Sequence, residues 1–183
     1  MTLKAAGRIT MFLLAMMLIL NVSAREILLS EGSATGIEVK ANSYQKLQFI
    51  NSVDRLQAFK VNTEMGLFNE LAVSGYSATV LAGAPKLPVN RKLIEIPFGA
   101  TLRVNVIDYK VKEYDLSALG IAFPIIPAQP PAPKDGSYVP FEYDASAYST
   151  NAFTDLPLVS VEILGTMRGL RIARVDIAPV QYN

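Results

Sequence analysis

Residues 167–183 read MRGLRIARVDIAPVQYN, and the reading of this stretch decides the fold class. From Arg171 the pattern alternates, with Ala173, Val175 and Ile177 on one side and Arg174 and Asp176 on the other. A period of two is that of a half-buried β-strand. Arg168-Gly169 stands at the strand's entry, where glycine can take a backbone angle that other residues avoid. Pro179 ends the ladder because it has no N–H to donate. A strand, a proline and an aromatic usually lead into a turn and a partner strand, so the sequence predicts that the chain stops at Asn183 short of its last strand. If that left the strand at a sheet edge, its unpaired backbone groups would invite association.

The same alternation recurs in short pieces elsewhere in the chain. Residues 37–39, 44–51, 56–61, 92–97 and 158–164 read as strands, and 67–73 fits helix or strand. Thr101 to Tyr109 is the clearest strand, with Leu102, Val104 and Val106 on one face, and 110–116 continues or pairs with it. Residues 51–54 and 97–100 carry turn chemistry. The stretch from Ala122 to Pro140 holds Pro124, Pro127, Pro130, Pro131, Pro133 and Pro140. That density precludes a sheet core and favours extended polyproline geometry in a surface loop, with a turn at Lys134-Asp135-Gly136. Residues 141–143 resume an extended run, and 148–157 are loop. No long amphipathic helix follows the N-terminus. Many short strands between turn residues predict an all-β, antiparallel sandwich over residues 25–183.

The first 24 residues stand apart. Lys4 and Arg8 give a positive start, residues 11–20 are apolar throughout, and Val22-Ser23-Ala24 supplies small residues for cleavage after Ala24. This reads as a secretory signal peptide, since the apolar run is well short of the roughly 20 residues a membrane helix needs. Removing it takes away two of 17 basic residues and leaves 16 acidic ones, a near-neutral domain without the electrostatic footprint of a nucleic-acid binder. Cysteine and histidine are both absent. There is no thiol nucleophile, no Ser-His-Asp triad, no zinc site of the usual kind and no disulfide, so the core alone must hold the fold. Carboxylate chemistry remains open on these grounds, but the one close acidic pair, Glu142 and Asp144, reads better as a solvated strand face. The residues call for no cofactor and no metal.

Five short motifs come in order: Gly83-x-Pro85-x-Leu87-Pro88, Ile94-Glu95-Ile96-Pro97-x-Gly99-Ala100, Pro140-Phe141-x-Tyr143, Arg168-Gly169-x-Arg171-x-Ala173, and Ala178-Pro179-Val180-Gln181-Tyr182-Asn183. Behind a signal peptide, this set resembles the N-terminal propeptide domain of gingipain-type cysteine peptidases, which are associated with type IX secretion. The resemblance covers residues 83–183 well and 44–82 loosely. It implies a jelly-roll type of β-sandwich, made ahead of a peptidase domain. Such a domain assists folding and keeps the peptidase latent by laying a loop across the active-site cleft until proteolysis removes it. The implied partners are the cognate peptidase domain, normally in the same polypeptide, and the secretion machinery. The implied route is export through the inner membrane to the periplasm, then to the medium or cell surface. The catalytic Cys and His of the family belong to the peptidase domain, so this chain is not itself an enzyme.

Gingipain-type pockets take Arg or Lys, and Lys134 is the one basic residue between Glu113 and Met167. The resemblance therefore implies that Lys134, with Asp135 beside it, enters the specificity pocket. Pro130, Pro131 and Pro133 would stiffen the approach and lower the entropy cost of binding. A solvated lysine in a turn is the plainer alternative. A different function, a stand-alone carbohydrate- or surface-binding module, finds its support in Tyr138, Tyr143 and Tyr148, which cluster near the proline loop and could stack on sugars.

Overall fold

The computed structural model describes residues 24–183. The signal peptide, apart from Ala24, lies outside the described residues. Among the described residues, nine strands and one short helix make up the regular structure. They are β1 Arg25–Leu28, β2 Gly36–Ser43, β3 Lys46–Ser52, β4 Arg55–Thr63, β5 Gly66–Ala72, β6 Ser77–Ala78, β7 Pro88–Glu95, α1 Ala145–Ser149, β8 Val159–Met167 and β9 Leu170–Ile177. All named strand pairs are antiparallel. The strands form a three-stranded sheet in the order β1-β4-β5, a separate hairpin β2-β3, and a four-stranded sheet in the order β6-β7-β9-β8. The all-β, sandwich-like class expected from the alternation is what the chain adopts.

The deciding stretch behaves as its pattern demands. Ala173, Val175 and Ile177 are buried on one face of β9. On the other face, the Arg91 guanidinium meets the Asp176 carboxylate at 2.8 and 3.1 Å. Arg174 reaches Asp176 at 3.2 Å and Glu162 at 2.7 Å, so one chain of charges runs across β7, β9 and β8. The β8–β9 hairpin closes on Arg168 and Gly169, both with positive φ, 52° and 81°. Two such residues in a two-residue loop match the twist of the flanking strands.

β9 is not an edge strand: β7 pairs with one side of it and β8 with the other. The stretch on either side of Pro179 also finds partners inside the chain. Ala178 N–H donates to the Leu158 carbonyl at 3.0 Å, and Thr154 N–H donates to the Tyr182 carbonyl at 2.9 Å. The expected exposed edge at this strand is therefore absent.

Two other expectations change. Thr101 to Tyr109, with its continuation to residue 114, forms no strand, and among the described residues no main-chain hydrogen bond reaches residues 101–114. The apolar positions swap sides at Val106-Ile107, from Leu102, Val104 and Val106 to Ile107, Tyr109 and Val111. A strand carrying them would turn apolar groups to both faces, and alternation alone supplies no ladder partner. The proline stretch changes in the opposite sense, because its first half is core. Ile125, with Ile121 just ahead of the stretch, packs with Ile27, Leu56, Ala58, Leu71, Val73 and Leu87 in the main apolar cluster. Here prolines serve where only an acceptor is needed. Asn69 N–H donates to the Pro124 carbonyl, and the donors that prolines lack come from Ile126, to Asn69, and from Ala128, to Ala84, all at 2.8 Å.

The tail of this stretch differs in smaller ways. Residues 145–149, expected partly as loop, form α1, with Asp144 as its N-cap. Asp144 is thus a cap, not half of a paired strand face with Glu142. Its carboxylate accepts from Ser146 N at 2.9 Å and Ser146 Oγ at 2.6 Å. The hydrogen bond from the Ser146 hydroxyl is the chief reason its pKa is lowered.

Candidate functional site

The second half of the proline stretch, residues 129–141, leaves the body as a loop above the β4–β5 turn. Its stems are set by Gln129, whose side-chain amide donates to the Glu142 carbonyl and accepts from Glu142 N–H, each at 2.9 Å. One side chain thereby copies a strand pairing. Phe141 N–H donates to Glu64 Oε1 at 3.1 Å, and the Phe141 ring packs 5.7 Å from Phe68. Tyr138 hydroxyl lies 3.3 Å from both oxygens of Glu64. The negative charge of Glu64 is the main reason the Tyr138 phenol sits above its usual pKa.

At the tip, Gly136 N–H donates to the Pro133 carbonyl at 3.2 Å, which closes a turn around Lys134 and Asp135. The Asp135 carboxylate accepts from Ser137 N at 3.0 Å and Ser137 Oγ at 2.8 Å, and its pKa is lowered, first by the backbone N–H of Ser137. Asp135 therefore fixes the turn from its C-terminal side. Lys134 is exposed, and among the described residues it has no salt-bridge partner. Pro130 and Pro133 line the open cleft under the loop together with Glu64, Gln129, Ser137 and Tyr138, while Pro131 is exposed on the outer side. The fold thus holds out one free ammonium group on a stiffened, turned segment.

Of the motif residues, Gly83 and Pro85 support the stems of this loop. Gly83, at φ +80°, accepts from Asp144 N–H at 3.0 Å and donates to the Ala128 carbonyl at 2.9 Å. A Cβ at Gly83 would come 3.0 Å from Asp144 N and 3.2 Å from Asp144 Cβ. Pro85 bridges Pro127, Leu87 is fully buried, and Pro88 opens β7 from a buried position. Tyr182 packs edge-on against Tyr148 at 6.5 Å, whereas Asn183 is exposed. Arg171 donates to the Pro97 and Ala100 carbonyls at 3.0 and 2.9 Å and ties down the 97–100 turn.

Tyr143 and Tyr148 of the tyrosine cluster stack on one another at 4.6 Å, whereas Tyr138 is exposed. Tyr148 hydroxyl donates to the Ile125 carbonyl at 2.8 Å. Burial is the first cause of the raised pKa values of Tyr148 and Tyr182. Two of the three rings offered for sugar stacking are therefore occupied by the loop's own support. Among the described residues, no three Asp or Glu side chains converge so that they could hold a metal ion. Glu64 and Gln129 escaped sequence reading because each lies far along the chain from the groups it binds, and neither type in its local pattern differs from a solvated side chain.

The sequence profile of the Propeptide_C25 family matches residues 22–183. Lys-gingipain HG66 of Porphyromonas gingivalis is 39% identical over 144 residues, which are 78% of this chain and 8% of that protein. Lys-gingipain W83 of the same organism gives the same identity and coverage. The chain thus spans 8% of the length of these curated relatives. Among solved structures, one of gingipain K from P. gingivalis, described for its zymogenic latency, superposes with a TM-score of 0.81 at 36% identity over 88% of each chain. The complex of the RgpB pro- and mature domains gives a TM-score of 0.65 at 19% identity, covering 80% of this chain and 74% of that one, and supports the fold alone. By profile, sequence and fold together, the chain belongs to the Propeptide_C25 family, as a gingipain-type propeptide domain and not a peptidase.

Proposed function

We propose that this domain keeps a gingipain-type cysteine peptidase latent and assists its folding, and that it does so by laying the 129–141 loop across the peptidase's active-site cleft with Lys134 in the specificity pocket. The observation that carries this reading is the tip itself: an exposed lysine without an ion-pair partner among the described residues, held in a closed turn between Pro133 and Gly136. Pro130, Pro131 and Pro133 restrict φ, so ordering the segment on binding costs less entropy than for a free loop. Asp135 keeps the turn closed through Ser137 and so helps hold Lys134 outward. The relatives are Lys-gingipains, which supports a lysine at the tip in place of an arginine. The gingipain K structure, described for zymogenic latency, supports the peptidase domain as the partner.

Residues 1–24 act as a cleavable signal with the cut after Ala24. The chain crosses the inner membrane to the periplasm, meets the secretion machinery there, and reaches the medium or cell surface. Export is supported by the family to which the chain belongs.

Inhibition in trans tests the site. The chain, titrated against the mature peptidase domain of Lys-gingipain, inhibits in the nanomolar range. Lys134→Ala raises Ki by about 100-fold, since a charge-assisted pocket contact is typically lost with a neighbour left unpaired. Equal inhibition by Lys134→Ala and the parent contradicts the assignment.

A further inference from the structure

We propose that Glu64 and Gln129 form a clasp that sets the geometry in which the loop is presented, which makes Glu64 a positioning residue for inhibition; this rests on the reading that the loop occupies a peptidase cleft. Glu64 lies in the β4–β5 turn, which its neighbours hold firmly. Thr63 Oγ1 donates to the Gly66 carbonyl at 2.9 Å, and Met65 N–H donates to Thr63 Oγ1 at 3.2 Å. Among the described residues no salt bridge occupies the Glu64 carboxylate. Its acceptors serve instead the main chain of Phe141, at 3.1 Å, and the hydroxyl of Tyr138, at 3.3 Å.

The two halves of the clasp act on different degrees of freedom. Gln129 holds both main-chain groups of Glu142 and so fixes the separation of the two stems. Glu64 holds the returning limb at Tyr138 and Phe141 and so fixes the tilt of the loop over the sheet. Between them the prolines and the Asp135 turn leave few soft torsions. A segment tied at both ends and turned at the tip has already lost much of the freedom that binding would remove, which is why the clasp strengthens inhibition without touching the peptidase.

The test compares Glu64→Ala and Glu64→Gln in the whole chain by two readouts: inhibition of the mature Lys-gingipain peptidase domain, and hydrogen exchange at the Phe141 amide. Glutamine keeps an acceptor for Phe141 N–H and a partner for the Tyr138 hydroxyl, whereas alanine removes both. We expect Glu64→Ala to exchange faster at Phe141 and to inhibit about tenfold more weakly, with Glu64→Gln within about twofold of the parent on both readouts. Inhibition by Glu64→Ala as strong as the parent's overturns the positioning role. If the parent does not inhibit at all, the functional reading falls. The clasp is then judged by the amide alone, and equal exchange in the parent and Glu64→Ala overturns it.

Discussion

Two glycines in the family motifs do different work, and a methyl group tells them apart. Gly169 needs positive φ in an open hairpin turn, where nothing lies within 4 Å of an added Cβ. Gly83 needs positive φ and also a close approach, since Asp144 N–H bonds its carbonyl at 3.0 Å. Gly169→Ala is expected to cost about 1 kcal/mol, from backbone strain alone. Gly83→Ala adds a backbone contact at 3.0 Å to the same strain. It is expected to cost about 2–3 kcal/mol, with loss of order in α1. Thermal unfolding of the two variants side by side checks the ranking, and equal midpoints would contradict the close approach. The sequence marked Gly169 as a turn glycine and Gly83 only as part of a motif. It did not show which of them has a neighbour, because Asp144 comes to Gly83 only through the path of the proline stretch.

Among the elements, β9 was legible and the 101–114 segment was not, although both alternate. β9 has two ladder partners and a consistent inner face of Ala173, Val175 and Ile177. The 101–114 segment has neither a ladder nor one inner face, and Ile107 and Val111 are 69% and 70% exposed. Pattern reports which side of a strand prefers burial, and pairing has to come from elsewhere in the chain. The proline stretch misled in reverse. Its prolines bar a regular ladder, yet an irregular run that lends carbonyls and takes donors from Ile126 and Ala128 satisfies the core equally well. Local stability should follow this division. In brief trypsin digestion, the earliest cuts in residues 24–183 are expected after Arg103, Lys110 or Lys112, which lie in unpaired chain. Lys134, held in a turn and followed by Asp135, is expected to be cut later. Mass spectrometry of the first fragments checks this, and a first cut after Lys134 would show that the loop is not held as described.

At the scale of the whole molecule, the fold divides into a support and a presented loop. The three-stranded sheet and the buried half of the proline stretch carry the core, and the Glu64, Gln129 and Phe68 contacts mount residues 129–141 on it. The chain contains no cysteine and so offers no thiol nucleophile. Lys134 was readable as a lone basic residue in a stiff stretch, but the mounting was not, since it depends on side chains from distant strands. The proposed function requires that the loop, and not the sheet faces, meets the peptidase. Hydrogen exchange of the chain, alone and mixed with the mature Lys-gingipain peptidase domain, tests this most directly. The expected result is a stable complex in which amides of residues 134–139 gain the strongest protection of any exposed segment. A complex in which those amides exchange as fast as in the free chain would contradict it.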